Sequence, residues 1–346
     1  MVDTLFDLLP FLGESGVAGE FLAGLIGAAL VATVTLLMAA VGGPWAKRKV
    51  RAAMTDAMMV SRHGPGGVII IVADSVRLLS KELIIPEQVD RPAYDIAPMV
   101  VPFSALMGFA VIPMGNGIQL ADPETGLAYV FAVSSIATLG LTMAGYASNN
   151  KYSFMGGLRA IAQNIAYEIP LVLTGASVVL FAGSLRLSEI VAVQQETLFA
   201  VGPVTIPQWF GFVNPFAFAL FVVAGIAEVG RNPFDIPEAP TEIVAGYQTE
   251  YGSVYFVLIY LGEFLHIFLS GAVVATLFLG GPAGPWLPGF AWFLIKIWGV
   301  YFLTQWARAA VPRIRIDQLM SVGWKGMLVL AFANLILTAA IVGVVA

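Results

Sequence analysis

The sequence contains no cysteine. Disulfides, thiolate metal sites, iron–sulfur ligation and a cysteine nucleophile are therefore excluded within the chain. Histidine is nearly absent too: His63 and His266 are the two present, too few for a multi-histidine haem or metal centre. Charge is scarce. Asp, Glu, Lys and Arg make up 11% of the 346 residues, against about 25% in an ordinary soluble domain. A chain this poor in charge cannot coat a water-facing surface, which excludes disorder and a conventional cytosolic enzyme. A basic n-region is missing as well. The N-terminus carries Asp3 and Asp7, so no cleaved signal peptide is expected.

What is present is apolar. The hydrophobic fraction is 59% and the mean hydropathy is +0.87, values of a polytopic helical membrane protein. A helix needs about 20 apolar residues to cross the hydrocarbon core. The long stretches with one charge or none predict an all-α fold with eight transmembrane helices in a single membrane domain over 1–346. The spans fall at about 21–44, 96–116, 125–148, 156–183, 213–230, 251–280, 289–307 and 326–345. Basic residues sort accordingly. Of the 17 Lys and Arg, 15 fall in alternate loops on one side, the opposite loops hold Arg186, and Lys296 lies inside a span. The positive-inside rule places those basic loops in the cytoplasm and both termini on the outer face of the cell membrane. The uncharged run 64–73 is too short to cross. Asp74, Arg77 and Lys81 follow it at helical spacing, with Ile70, Ile71, Val76, Leu78 and Leu79 at other positions. This predicts an amphipathic helix over about 66–83 lying in the cytoplasmic interface.

Charges at the centre of a membrane helix cost about 2.5–3.5 kcal/mol each. Glu168, Glu228, Glu263 with His266, and Lys296 all sit within or at the end of predicted spans. One reading is a polar path with carboxylates as proton-transfer stations. The other is packing, with a Glu–Lys or Glu–His pair holding helices together. Four helices sharing the feature favour a path. Glu263 and His266, three apart on one helix face, stay open between the two, as does Lys296.

The densest constellation is the loop 231–250 and the residue entering it, EVGRNPFDIPEAPTEIVAGYQTE. Five of the 22 acids lie here, at Glu228, Asp235, Glu238, Glu242 and Glu250, and within the segment Arg231 alone opposes them. Pro233, Pro237 and Pro240 stiffen the backbone. Glu238 and Glu242, four apart, would align if the segment turned helical. Like charges held together retain protons more tightly, so the loop is expected to take up protons near neutral pH. A solvated acidic loop is the plainer alternative, and Phe234, Ile236, Ile243 and Val244 argue against it by pointing to packing. Calcium binding is weaker still, since no EF-hand spacing is present. In the last cytoplasmic loop Arg308, Arg313 and Arg315 cluster in sequence with Asp317. Anionic lipid and a docked partner fit that loop equally well.

RNPFDIPEAPTEIVAGYQTEY resembles the signature loop of the quinone-site membrane subunit of respiratory complex I. That family comprises the H subunits of NADH-quinone oxidoreductases and their mitochondrial counterpart, subunit 1. ADSVRLLSKELIIP resembles the family's amphipathic segment, GGLRAIAQNIAYEIPL its fourth-span entry and WARAAVPRIRIDQLMSVGWK its final loop. Together these cover most of the chain from about residue 62.

The resemblance implies a subunit of a proton-translocating, quinone-reducing complex that is inactive alone. It would assemble with membrane-arm and peripheral-arm subunits, contact quinone and lipid, and bind no nucleic acid. Iron–sulfur clusters would lie in partner subunits, with no metal or cofactor held by this chain. Carried over by position, Asp235, Glu238, Glu242 and Glu250 would belong to the coupling loop. Glu168, Glu228 and Glu263 would be membrane carboxylates of the proton path, and Asp74, Arg77, Arg231 and Arg308 would lie near the quinone. The family pattern often has an acid where Pro240 stands, and a Gln and a Pro where Ile70 and Ile71 stand. The competing readings are a membrane subunit of a related energy-converting hydrogenase, a standalone ion transporter, and a structural anchor. A long, proline-stiffened cytoplasmic loop weighs against the transporter, and the buried charges weigh against the anchor.

Overall fold

The computed structural model describes residues 17–57, 64–115, 117–201, 204–239 and 241–345. Asp3, Asp7, Arg62, His63 and Pro240 lie outside the described residues. The first helical stretch is α1 (Val17–Leu37), a π-turn at Met38–Gly42 and α2 (Gly43–Met54). A 3₁₀ turn at Pro65–Gly67 precedes α3 (Val68–Leu79), followed by α4 (Arg91–Phe109), α5 (Gly126–Ala147), α6 (Lys151–Ala182) and α7 (Leu187–Gln194). After a β-hairpin come α8 (Phe210–Val213), α9 (Pro215–Glu228), α10 (Ser253–Phe278), α11 (Gly289–Ala310), α12 (Ile316–Ser321), a second π-turn at Val322–Met327 and α13 (Leu328–Val345).

The protein is a helical membrane bundle. Among the described residues, five stretches are long and apolar enough to cross a membrane: Phe21–Met54, Gly126–Ala147, Lys151–Ala182, Ser253–Phe278 and Ile316–Val344. The first of these carries helix ten residues past the span end expected at 44, so Lys47, Arg48 and Lys49 ride on α2 rather than on a loop. The hairpin is a departure from the all-α expectation. Strands β1 (Thr197–Val201) and β2 (Val204–Pro207) pair antiparallel in a segment that the sequence presents as an uncharged run cut by prolines.

Helix ends follow local chemistry. Asn150 caps α6 by accepting from Tyr152 N, and Asn214 caps α9 by accepting from Ala217 N with Pro215 at the first helical position. Such side chains satisfy amides that have no intrahelical partner. Helix α10 is the most enclosed of the long helices. It packs on α4 and α11, and α4 packs in turn on α5, α5 on α6, and α6 on α9 and α13. Gly262 lets α10 approach α4 closely, since a Cβ there would lie 2.7 Å from Val101 Cγ1 and 2.9 Å from the Pro102 nitrogen. Gly156 does the same for the acidic loop. A Cβ on it would lie 2.5 Å from Tyr247 N and 2.8 Å from Gly246 Cα. The one-turn 3₁₀ helix Gly246–Gln248 therefore rests directly on α6.

Ahead of that 3₁₀ turn the described residues of the acidic loop are not helical: 236–238 and 241–245 form turns and bends, Ala239 and Val244 have positive φ, and Glu238 and Glu242 take different partners. The alignment that a helix would give those two acids is absent, since the positive φ of Ala239 is not helical backbone. The last loop braces the acidic loop. Ile314 N donates to Pro233 O at 3.1 Å, and Asn232 Nδ2 donates to Arg308 O at 3.2 Å.

Candidate functional site

Glu263 on α10 is the hub, 7% exposed. Arg231, 4% exposed, places Nη2 2.9 Å from Glu263 Oε2. The 3₁₀ turn that Gly156 admits delivers two more donors. Tyr247 Oη donates to Glu263 Oε1 at 2.6 Å, and Gln248 Nε2 donates to the same oxygen at 2.6 Å. Both donors also reach Glu238 Oε1, Gln248 at 3.2 Å and Tyr247 at 3.5 Å. The same two donors thus bridge the Glu238 and Glu263 carboxyls. The Arg231 guanidinium lies over the Phe264 ring at 5.1 Å, and Lys47 Nζ donates to Tyr260 Oη at 3.3 Å nearby.

Electrostatics set the roles of the loop groups. Burial works against the Glu238 carboxylate, but the hydrogen bond with Glu263 and the charges of Arg231, Arg308 and Lys47 together hold it below the ordinary value. Asp235 goes the other way. Burial, reinforced by Glu238, pushes it up to about 6 against the opposing pull of Arg231, Arg308 and Arg313. Burial and the two adjacent carboxylates push the Tyr247 hydroxyl well above its ordinary value, so it acts as a donor. Among the described residues, Asp235 Oδ1, Arg231 Nε and Arg308 Nη1 are buried without a hydrogen-bond partner. Buried polar atoms are normally paired, and these three converge on the region where the loop meets α10 and α11.

Two adjoining cavities open beside the hub. One, of about 70 Å³, is lined by Ser134, Asn164, Glu228, Glu263, His266 and apolar residues. The other, of about 50 Å³, adds Gln163, Glu238 and Tyr247 and shares Asn164, Glu228 and Glu263. Each exceeds the space of about 10–15 Å³ that one water requires. Beyond them Glu168 continues the polar chain, accepting from Ser135 Oγ and, at 3.3 Å, from Asn164 Nδ2.

The structure thus brings together Asp235, Glu238, Glu263, Glu228, Arg231 and Arg308, with Glu168 one step further. It sets the other expected site residues apart. Glu242 faces outward and pairs with Arg159 at 2.5 Å and Arg313 at 3.6 Å. Glu250 accepts from Asn150 Nδ2 at 2.5 Å. Asp74 pairs with Arg48 at 2.7 Å, and the exposed Arg77 stands 3.5 Å away. Arg231 is not the sole counter-charge of the loop, because Arg159 and Arg313 reach it from α6 and from the last loop. The Arg308–Arg313–Arg315 cluster is dispersed. Arg313 serves Glu242 and Thr241, Arg315 sits 3.7 Å from Asp317, and Arg308 turns inward. Neither packing pair that the sequence left open as an alternative forms among the described residues. His266 Nε2 lies near Ser104 and Val101 of α4, not Glu263, and Lys296 Nζ donates to the carbonyls of Leu279, Gly281 and Ala283.

Tyr247, Gln248, Lys47 and Asn164 escaped the sequence reading. Tyr247 and Gln248 sit inside the acidic loop motif behind Gly246, and an uncharged polar pair after a glycine is the one signal that marks them. Lys47 hid in a basic run that reads as solvated.

Fold and site define a class: a polytopic helical membrane protein whose acidic loop plugs charged groups into a cavity among its helices. The chain belongs to the NADH dehydrogenase family, whose model matches residues 26–339. It is 42% identical over 326 residues to the H subunit of NADH-quinone oxidoreductase from Geobacillus kaustophilus (strain HTA426), an alignment covering 91% of this chain and 92% of that protein. The proteins of the same name from Bacillus cereus (strain B4264) and Bacillus thuringiensis (strain Al Hakam) are each 43% identical over 326 residues, covering 89% of this chain and 92% of theirs.

Proposed function

We propose that this chain is a membrane subunit of a proton-translocating NADH-quinone oxidoreductase of the complex I type. It forms the quinone-binding tunnel with peripheral subunits and couples quinone reduction to proton movement. The electrons come from iron–sulfur clusters in partner subunits, and the chain turns nothing over alone. The Geobacillus and Bacillus relatives carry quinone in their names, which separates this reading from the hydrogenase and transporter alternatives.

The observation that carries the coupling role is the succession of polar groups from Asp235 and Glu238 through Glu263, the paired cavities and Glu228 to Glu168. Quinone reduction consumes protons and creates negative charge. Near Arg231 and Arg308, that charge competes with Glu238 and Glu263 for the same cations. A carboxyl whose cation is drawn away binds a proton more tightly, so the Glu238–Glu263 pair takes up a proton and passes it along the chain when the cations return. Glu242 and Glu250 hold the loop in place from its rim, as Arg159, Arg313 and Asn150 receive them. Asp74 and Arg77 belong to the quinone entrance.

The span count is part of the proposal. The five long stretches are joined by Arg91–Phe109, Pro215–Glu228 and Gly289–Ala310 to give eight crossings. These three are a helix with prolines at 98 and 102, a helix of 14 residues and a helix carrying Lys296. Helix α3 lies in the cytoplasmic interface. Its Ile69, Val72, Val76 and Leu79 are exposed on one face, as a helix against lipid acyl chains requires. The membrane is the plasma membrane, with the basic loops cytoplasmic.

The test is Glu168→Gln, made in the host and assayed in inverted membrane vesicles oxidising NADH with a short-chain quinone. Proton translocation per quinone reduced should fall while the complex still assembles. Full pumping in that variant would make Glu168 structural and remove the end of the path.

A further inference from the structure

His266 occupies an unusual place. It sits on α10 one turn from Glu263, and its ring lines the larger cavity together with Glu228, Asn164, Ser134, Thr138 and Ser270. Its Nε2 is 3.2 Å from the Val101 carbonyl oxygen and 3.1 Å from Ser104 Oγ. The Ser104 hydroxyl itself donates to the Val101 carbonyl at 2.8 Å. A carbonyl can only accept, and a hydroxyl whose proton is already committed accepts as well. Nε2 therefore carries the hydrogen. The other ring nitrogen, Nδ1, is left with a free lone pair, and among the described residues it has no hydrogen-bond partner. The tautomer of a histidine is fixed by the bond its far nitrogen makes. Here helix α4 fixes it so that the basic nitrogen remains available on a ring bordering the space that separates Glu263 from Glu228.

We propose that His266 is a proton carrier between Glu263 and Glu228, a role that rests on the proton-path reading of this cavity. A proton leaving Glu263 crosses the cavity to Nδ1, forming an imidazolium whose Nε2 hydrogen stays on the Val101 carbonyl. The imidazolium then releases the Nδ1 proton to the Glu228 carboxylate. One N–H bond forms and breaks, the charge moves with the proton, and no electron is transferred. The carboxyls of Glu263 and Glu228 belong to different helices and need an intermediate base that can both accept and give. Ser134, Thr138, Asn164 and Ser270 can orient water in the cavity, but of the groups lining it His266 is the only neutral one that takes a full positive charge.

The experiment compares His266→Gln with Glu263→Gln in the assembled complex, in inverted vesicles. Glutamine keeps an N–H donor toward Val101 and loses the base. His266→Gln is expected to retain NADH oxidation by an artificial acceptor. Its coupled proton translocation should fall by at least about tenfold, with a larger solvent deuterium isotope effect. Impaired pumping in Glu263→Gln beside unchanged pumping and isotope effect in His266→Gln would overturn the histidine role and leave the path intact. Unchanged pumping in both variants would remove the path itself. His266→Asn is the second variant. Loss of assembly in both histidine variants would assign the ring to packing and overturn the proposal.

Discussion

Glu263 and Lys296 are buried to the same degree, each 7% exposed, and both lie inside apolar helices. Their surroundings differ in kind. Glu263 faces side chains that titrate or donate, Arg231, Tyr247, Gln248 and Glu238, and it borders two cavities. Lys296 is held by three main-chain carbonyls at 2.6–2.8 Å, with the Trp209 ring 4.5 Å away. Those carbonyls belong to the residues where α10 ends. Helix C-termini leave carbonyls unpaired and carry partial negative charge, which an ammonium neutralises. The lesson is that a costly buried charge does not by itself mark function. Side-chain partners can exchange protons and rearrange, whereas main-chain partners fix the charge in place. By that criterion we propose that Lys296 is a fastener and Glu263 a switchable group.

The comparison can be broken most severely at Arg231. Arg231→Met leaves Glu263 buried without its cation, and breaking such a pair costs about 3–5 kcal/mol. The thermal inactivation midpoint of the purified complex should drop steeply, with quinone reduction lost. A midpoint unchanged within error would mean that Glu263 does not depend on this partner.

Asp235→Asn has the opposite sign. The native carboxyl sits at about 6, against an ordinary value of 3.8. Its ionisation therefore costs folding energy that is fully present above pH 6, shrinks as the pH falls and vanishes below the ordinary value. Two pH units correspond to about 3 kcal/mol at most. The variant should be more heat-stable than the native protein at pH 7.5, and the two should converge at pH 4. An equal difference at both pH values would refute the assignment to Asp235.

Lys296→Met sharpens the contrast with the smallest effect. Unpaired carbonyls are offset in part by no longer burying an ammonium, so the net loss should be about 1–2 kcal/mol. Protons translocated per quinone should stay at the native ratio. A changed ratio would bring Lys296 into the path and erase the distinction.

The sequence exposed the two halves unequally. Long apolar runs and basic residues sorted to alternate loops announced a helical membrane bundle, because bilayer thickness and membrane charge asymmetry act on composition directly. The loop announced itself through its acids and prolines, and the resemblance of its motif led to the family. Partner choice was not legible. Four-residue spacing put Glu238 with Glu242, yet the turns at 236–238 and 241–245 send Glu242 to Arg159 and Glu238 to the hub. Three-residue spacing put His266 with Glu263, yet α4 supplies the closer acceptor. Periodicity speaks for neighbours on one helix, and these partners come from other helices. The hairpin at 197–207 was hidden for a similar reason, since its prolines read as punctuation between spans.

Gly156 carries no charge, yet the hub depends on it. A methyl group at that position would act as a wedge under the turn that holds Tyr247 and Gln248. It would strip Glu263 of two donors without altering any ionisable residue. In genetic terms, position 156 is where a silent-looking Gly→Ala allele would uncouple the protein. Second-site revertants of that allele should fall in the facing turn rather than among the acids.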